Sequence, residues 1–214
     1  MISENLEKRF KLIINEWMKP YLKANHFNFK QRIFSRNHGE LILLLDIQRS
    51  QWNANEKIEF VINFGVFVPG FWTTYSNRPE PKYPKVPDCC FDKRLKTDSE
   101  KEWWIISGVD DSSKDAEIGN QIRSLLEAKV VPFLSCFKSR LDVIRFFEKT
   151  TLKESGLSLP RNESIKAAYL AVLYFQLGEM EKSLERIEEA IKNQNPKYDI
   201  MQTFLDLRER IRSY

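Results

Sequence analysis

Four polar side chains stand where strand parity can bring them together. Asp46 and Gln48 sit two apart at the end of an apolar run that begins at Leu41. Asn63 falls between Ile58, Phe60, Ile62, Phe64, Val66 and Val68, on the opposite parity and in step with Glu59 and Gly65. Residues two apart in a strand share a face, so antiparallel pairing of these segments puts Asp46, Gln48 and Asn63 on one side of a sheet. Gly65 would leave room above that face, and Arg94 or Trp104 from later strands can border it. A carboxylate, two amides and a guanidinium placed so can do one of two things. They can hydrogen-bond one another into a network that fixes the loop 49–57, or they can face a ligand. Trp52 in that loop, with Trp72, Trp103 and Trp104, is either core or the anchor of an interface, where Trp and Arg are common hot spots.

Other chemistry finds little support. No Gly-x-x-x-x-Gly-Lys-[Ser/Thr] or Gly-x-Gly-x-x-Gly loop offers a phosphate cradle, and no Gly-x-Ser-x-Gly elbow is present. With no Cys-x-x-Cys, no His-x-x-x-His and only two His, a zinc site lacks its ligands, so no metal and no cofactor are expected. Cys89 or Cys90 with His38 would be a nucleophile–base pair only if something positioned them; reduced, partly buried thiols are the simpler reading. His38, beside Gly39, reads as an exposed loop residue, and His26 as a helix end.

The composition excludes whole classes. The 214 residues include 15 Phe, 7 Tyr and 5 Trp but only 7 Gly and 9 Pro, which rules out disorder and collagen-like chains. The longest strongly apolar run, Leu41 to Leu45, falls far short of the ~18 residues a membrane span needs, so no membrane is expected as a partner. Residues 1–101 hold 17 basic and 12 acidic side chains, and residues 102–214 hold 17 and 18. That is a mildly basic front, not the dense stripe of a dedicated nucleic-acid binder. Three Cys without a spaced framework, and an opening stretch with no apolar leader, predict a reducing cytoplasm.

The elements that would hold these residues follow from periodicity. Leu6, Phe10, Ile13, Trp17 and Tyr21 form one helical face over 4–24, with Ser3 as its cap and Pro20 bending the last turn. A β-hairpin turning at Asn37-His38-Gly39 follows, then the strand of Ile58 to Val68, stopped by Pro69-Gly70. Residues 69–101 read as the least regular part; Pro79, Pro81, Pro84 and Pro87 within nine residues favour an extended path and prevent a helix there, with a short strand near Cys90 to Leu95. A further strand spans Trp103 to Ile106 and stops at Gly108 and the turn Asp110-Asp111. Asp115 opens a helix through Val130, and Pro132 starts another that runs through Phe147. Helices over 163–177, 180–193 and 198–212 complete the chain. The fold class is α+β, an antiparallel sheet packed with helices, with domains at 1–150 and 151–214.

Two resemblances add to this. Residues 164–197 resemble a single tetratricopeptide repeat: Leu170, Ala171, Tyr174, Leu177-Gly178, Ser183, Ile187 and Ala190 match its positions, with Pro196 one residue late. One repeat cannot bury its apolar face alone, so the hairpin must pack on its own domain or on the final helix. Residues 6–148 resemble the bacterial domain of unknown function numbered 4304. The matching segments are Lys19-Pro20-Tyr21-Leu22-Lys23, Phe27-Asn28-Phe29-Lys30, Ile33-Phe34, Gln48-Arg49-Ser50 with Trp52, and Phe60 to Gly65. Arg94-Leu95, Trp103-Trp104 and Val131-Pro132-Phe133-Leu134 follow in order. The family pattern favours Gly where this chain has His26. The resemblance implies an α+β domain with an antiparallel sheet and assigns no activity.

The expected function is a non-catalytic protein-interaction module of a cytoplasmic bacterial protein, of immunity type by analogy. Its interaction candidates are Asp46, Gln48, Trp52, Asn63, Arg94 and Trp104. One alternative is single-stranded nucleic-acid binding by the sheet face through Lys30, Arg32, Arg36, Arg49 and Arg94. The other is an enzyme of unrecognised type with Asp46, Gln48, Asn63 and Arg94 around a pocket.

Overall fold

A computed structural model describes residues 4–53, 56–97, 101–108, 112–194, 196–197 and 199–214. The expected Ser3 cap and the Asp110-Asp111 turn lie outside these residues. The first amphipathic stretch forms α1 (Glu4–Ile13), a π-helical turn (Ile14–Met18) and α2 (Lys19–Ala24). Pro20 has no amide hydrogen and its ring crowds the preceding turn. The helix accommodates it by widening just upstream, where the Lys19 amide reaches back five residues to the Ile14 carbonyl. The same device recurs before Pro132: α4 (Ser112–Leu125) passes through a π turn (Leu126–Val130) into α5 (Val131–Ser135), and the Val131 amide bonds the Leu126 carbonyl.

Helix α2 ends in a Schellman motif. The Phe27 amide donates to the Leu22 carbonyl (2.9 Å) and the His26 amide to that of Lys23 (3.0 Å), with Phe27 and Leu22 both buried. This motif needs a left-handed residue, and His26 supplies it at φ 65°. The departure from the family's Gly thus falls on a position whose backbone favours Gly.

Six antiparallel strands form one sheet: β1 (Asn28–Lys30), β2 (Ile33–His38), β3 (Leu41–Arg49), β4 (Lys57–Phe67), β5 (Phe91–Arg94) and β6 (Trp104–Ser107). The order is β1-β2-β3-β4-β5, with β6 also paired to β4. With helices following the sheet strands, the protein is α+β. β1 and β2 form a hairpin that the sequence hides. Lys30 pairs with Ile33, so only Gln31 and Arg32 make the turn, both at positive φ (52° and 68°). That is the signature of a type I′ turn, which ordinarily recruits Asn and Gly. The second hairpin turns at Gly39, as expected, while His38 belongs to β2 and is half-buried rather than a loop residue.

The chain divides into two compact units, neither a continuous segment. The first comprises residues 1–36, 43–65 and 94–136. Here Ile58, Phe60 and Ile62 of β4 pack against helices, with Phe10 edge-on to Phe60 at 5.2 Å and Phe64 to Phe133 at 6.0 Å. Asp115 does not cap a helix: α4 starts at Ser112, and the Asp115 carboxylate is buried against Arg9 of α1. Gly119 admits the Trp17 ring so closely that a Cβ would lie 2.3 Å from it.

The second unit comprises residues 37–42, 66–93 and 137–214. The segment 69–101 holds a helix that sequence pattern does not mark, α3 (Phe71–Ser76), formed right after Pro69-Gly70 and before the prolines at 79–87. Its Phe71, Trp72 and Tyr75 close edge-on around Tyr169. The helix expected from Pro132 through Phe147 is broken. A capping box at Ser139, whose amide donates to Asp142 at 2.9 Å, opens a separate α6 (Arg140–Lys149). α7 (Leu152–Ser155), α8 (Glu163–Gln176), α9 (Met180–Lys192) and α10 (Met201–Arg212) follow. α8 and α9 form the hairpin, joined where the Ser183 hydroxyl donates to the Ala171 carbonyl at 2.8 Å, and α10 packs on α9 with Arg212 bonded to Glu188. Gly39 is required: a Cβ there would meet the Lys138 carbonyl oxygen at 2.2 Å.

Candidate functional site

The first unit brings four of the six candidates together. Neighbouring strands β3 and β4 present Asp46, Gln48 and Asn63 on one face, and Arg94 ends β5 beside them. Asn63 is the hub, 7% exposed. Its amide nitrogen donates to Asp46 Oδ1 at 2.9 Å and to Gln48 Oε1 at 3.1 Å, while its oxygen accepts from Arg94 Nε at 3.2 Å. The chemistry sets the amide's orientation, because a carboxylate must face the NH₂ and a guanidinium the oxygen. Arg94 then reaches outward, donating from Nη1 to Glu102 at 2.8 Å. Its guanidinium lies 5.9 Å from the centre of the Trp103 ring. Both amide hydrogens and the oxygen of Asn63 are therefore engaged.

Burial raises the pKa of Asp46 above its ordinary value, against the lowering effects of the Asn63 hydrogen bond and the Arg94 charge. Gly65 on the same face is buried as well.

The remaining two candidates lie elsewhere. Trp104 pairs with Phe60 in the β4–β6 register, so it faces the helix-covered side, away from Asn63. Its indole N–H is buried without a hydrogen-bond partner among the described residues. Trp103, one residue earlier, is the aromatic that meets Arg94, and it is 40% exposed. Trp52 is 77% exposed in its loop. Among its described residues, that loop makes no hydrogen bond to the side chain of Gln48 or Asn63. Asn53 holds it instead, its side chain pairing with both backbone groups of Glu59 at 2.8 and 3.1 Å. Asn side chains commonly close loops by bonding backbone groups in this way, and the Asn53 type alone is the signal for it in the sequence.

The cations of the nucleic-acid alternative do not share one surface. Arg94 serves the hub, whereas Arg32 and Arg49 line a separate cleft beside α1. Cys89 and Cys90 are buried, and burial pushes the Cys90 thiol well up, which keeps it protonated and a poor nucleophile. Among the described residues no group of three or more His, Cys, Asp or Glu is placed to hold a metal ion. None of their helices is long and apolar enough to cross a membrane.

Sheet and hub together define an α+β domain with a closed polar hub and an aromatic rim. Residues 18–136 match the family model described as Domain of unknown function (DUF4304), and the chain belongs to that family. No curated protein and no solved structure matches it.

Proposed function

We propose that the chain is a non-catalytic protein-interaction module that docks a partner protein on the face formed by Arg94, Trp103 and Ile105. The observation that carries this is the contrast between hub and rim. The hub's central amide is fully hydrogen-bonded internally, and what faces outward beside it is Trp103 with Ile105, 40% and 48% exposed. A Trp beside an oriented guanidinium is the usual composition of an interface hot spot, and Ile105 adds apolar area next to it. A cytoplasmic bacterial protein of the immunity type suits free thiols at Cys89, Cys90 and Cys136. We read the tetratricopeptide-like hairpin α8–α9 as closing its own unit, because α10 already packs on α9.

The test compares capture by the tagged wild-type chain with capture by a Trp103→Ala, Ile105→Ser variant of equal melting temperature. The expected result is one stoichiometric protein held by the wild type and lost from the variant. Equal capture by both chains, or none by the wild type under gentle conditions, would overturn the proposal.

A further inference from the structure

A second surface of the first unit, apart from the Trp103 face, carries a different chemistry. Beside α1 lies a cleft of about 320 Å³. Four cations line it, Lys11, Lys19, Arg32 and Arg49, against a single carboxylate, Glu7. Two of them are held ready. Arg49 donates to Glu7 at 2.7 Å with its guanidinium 5.0 Å from the Phe10 ring centre. Lys19 donates to Asn15 at 2.6 Å and lies 4.2 Å from the centre of the Phe29 ring. One carboxylate cannot satisfy four cations, and its own pKa is lowered by Arg49 first, with Lys11 and Arg32 adding to the effect.

Arg32 reaches the cleft from the β1–β2 turn, where it and Gln31 both hold positive φ. Its carbonyl accepts from the Ile47 amide at 3.3 Å, which ties that turn to β3. A type I′ turn built without Gly or Asn is strained, and strain of this kind collects at ligand-holding positions. Lys19 and Phe29 also line an adjoining apolar hollow of about 560 Å³, floored by Phe27 and Phe34 and bordered by Pro20.

We propose that this paired cleft is a binding site for a small organic anion, its phosphate or carboxylate held among Lys11, Lys19, Arg32 and Arg49 and its apolar body on Phe29 in the neighbouring hollow. A cationic pocket that opens onto an apolar one recognises both halves of such a ligand and neither half alone. Glu7, Phe10 and Lys11 precede the segment matched by the family model and Lys19, Phe29, Arg32 and Arg49 fall within it. The complete site therefore belongs to this chain and not to the family segment alone.

The test is calorimetric titration of the full chain with 1-naphthyl phosphate and 1-naphthoate, beside inorganic phosphate and 1-naphthol. We expect at least one naphthyl anion to bind about tenfold or more tightly than either half-ligand, and the preferred head group tells phosphate from carboxylate. Lys19→Ala and Arg32→Gly should each weaken it by about tenfold, the loss of one charge-assisted contact. Arg32→Gly adds a second readout, because Gly suits the turn: the variant should melt higher while binding more weakly. The proposal is overturned if neither naphthyl anion binds at millimolar concentration, if both variants bind as the wild type does, or if a single-stranded oligonucleotide binds more tightly than both. Because Trp103 and Ile105 take no part, loss of partner capture leaves this result untouched.

Discussion

The first unit contains two buried polar clusters that solve the same problem in opposite ways. Between α1 and α4, Arg9 and Asp115 form a salt bridge, side chains 8% and 3% exposed, bonded bidentately at 2.7 and 2.9 Å. The third arm of Arg9 donates to the Gly108 carbonyl at 2.8 Å. On the sheet, a neutral amide sits at the centre, bonded to the part-buried Asp46 carboxylate, and the charges of Arg94 and Glu102 stand at its edge. A charge pair in the dry interior must satisfy itself completely, since nothing else can solvate it. A neutral hub tolerates charges that face outward. The first arrangement fastens two helices; the second leaves a guanidinium and an aromatic ring on offer to a partner.

The largest expected effect comes from breaking the dry pair. Asp115→Asn keeps the shape and leaves the Arg9 guanidinium buried without its counter-charge, which should cost about 3–5 kcal/mol in urea unfolding. Replacing both residues with apolar ones, Arg9→Met with Asp115→Leu, should recover most of that loss and leave partner capture intact. A cost below about 1 kcal/mol for Asp115→Asn would mean the pair is solvated, and the contrast between the clusters would fail.

Breaking the hub should cost less and reach further. Asn63→Ala removes both donors from Asp46 and Gln48 and the acceptor from Arg94, for about 1–3 kcal/mol. It also frees Arg94 to leave Trp103, so partner capture should weaken at matched stability. If Asn63→Ala captures as well as the wild type, the hub does not position the rim.

The two clusters differ equally in how far the sequence discloses them. Asp46, Gln48 and Asn63 could be grouped because strand parity is a local rule and β3 and β4 are neighbours along the chain. Parity alone does not decide the side of Trp104. Trp103 and Trp104 are both aromatic, and only the pairing of Trp104 with Phe60 decides which faces the core. Arg9 and Asp115 are 106 positions apart, and nothing periodic links them. Asp115 alone looks like a helix opener, and Arg9 like any surface cation of an amphipathic helix. The turn at Gln31-Arg32 and helix α3 are hidden differently: the first lacks the Gly and Asn that mark such turns, and the second, six residues long, is too short for apolar spacing to mark. Helices α8 and α9 are legible nearly to the residue, since apolar spacing and Gly178 mark them directly, whereas α10 starts at Met201 and not at 198.

The smallest effect separates the clusters by pH. Burial places the pKa of Asp46 in the folded chain above its ordinary 3.8. Between those two values the folded state binds more protons than the unfolded state, so stability falls as pH rises through that window and is level above it. Asp46→Asn keeps an oxygen for the Asn63 amide and removes the titration. Relative to this variant the wild type should therefore gain stability on acidification from neutral pH towards 4, by less than either substitution above changes it. Melting curves of both chains between pH 4 and 7 measure the difference. Parallel curves would mean that Asp46 ionises as freely folded as unfolded, and the hub would then be as wet as its rim.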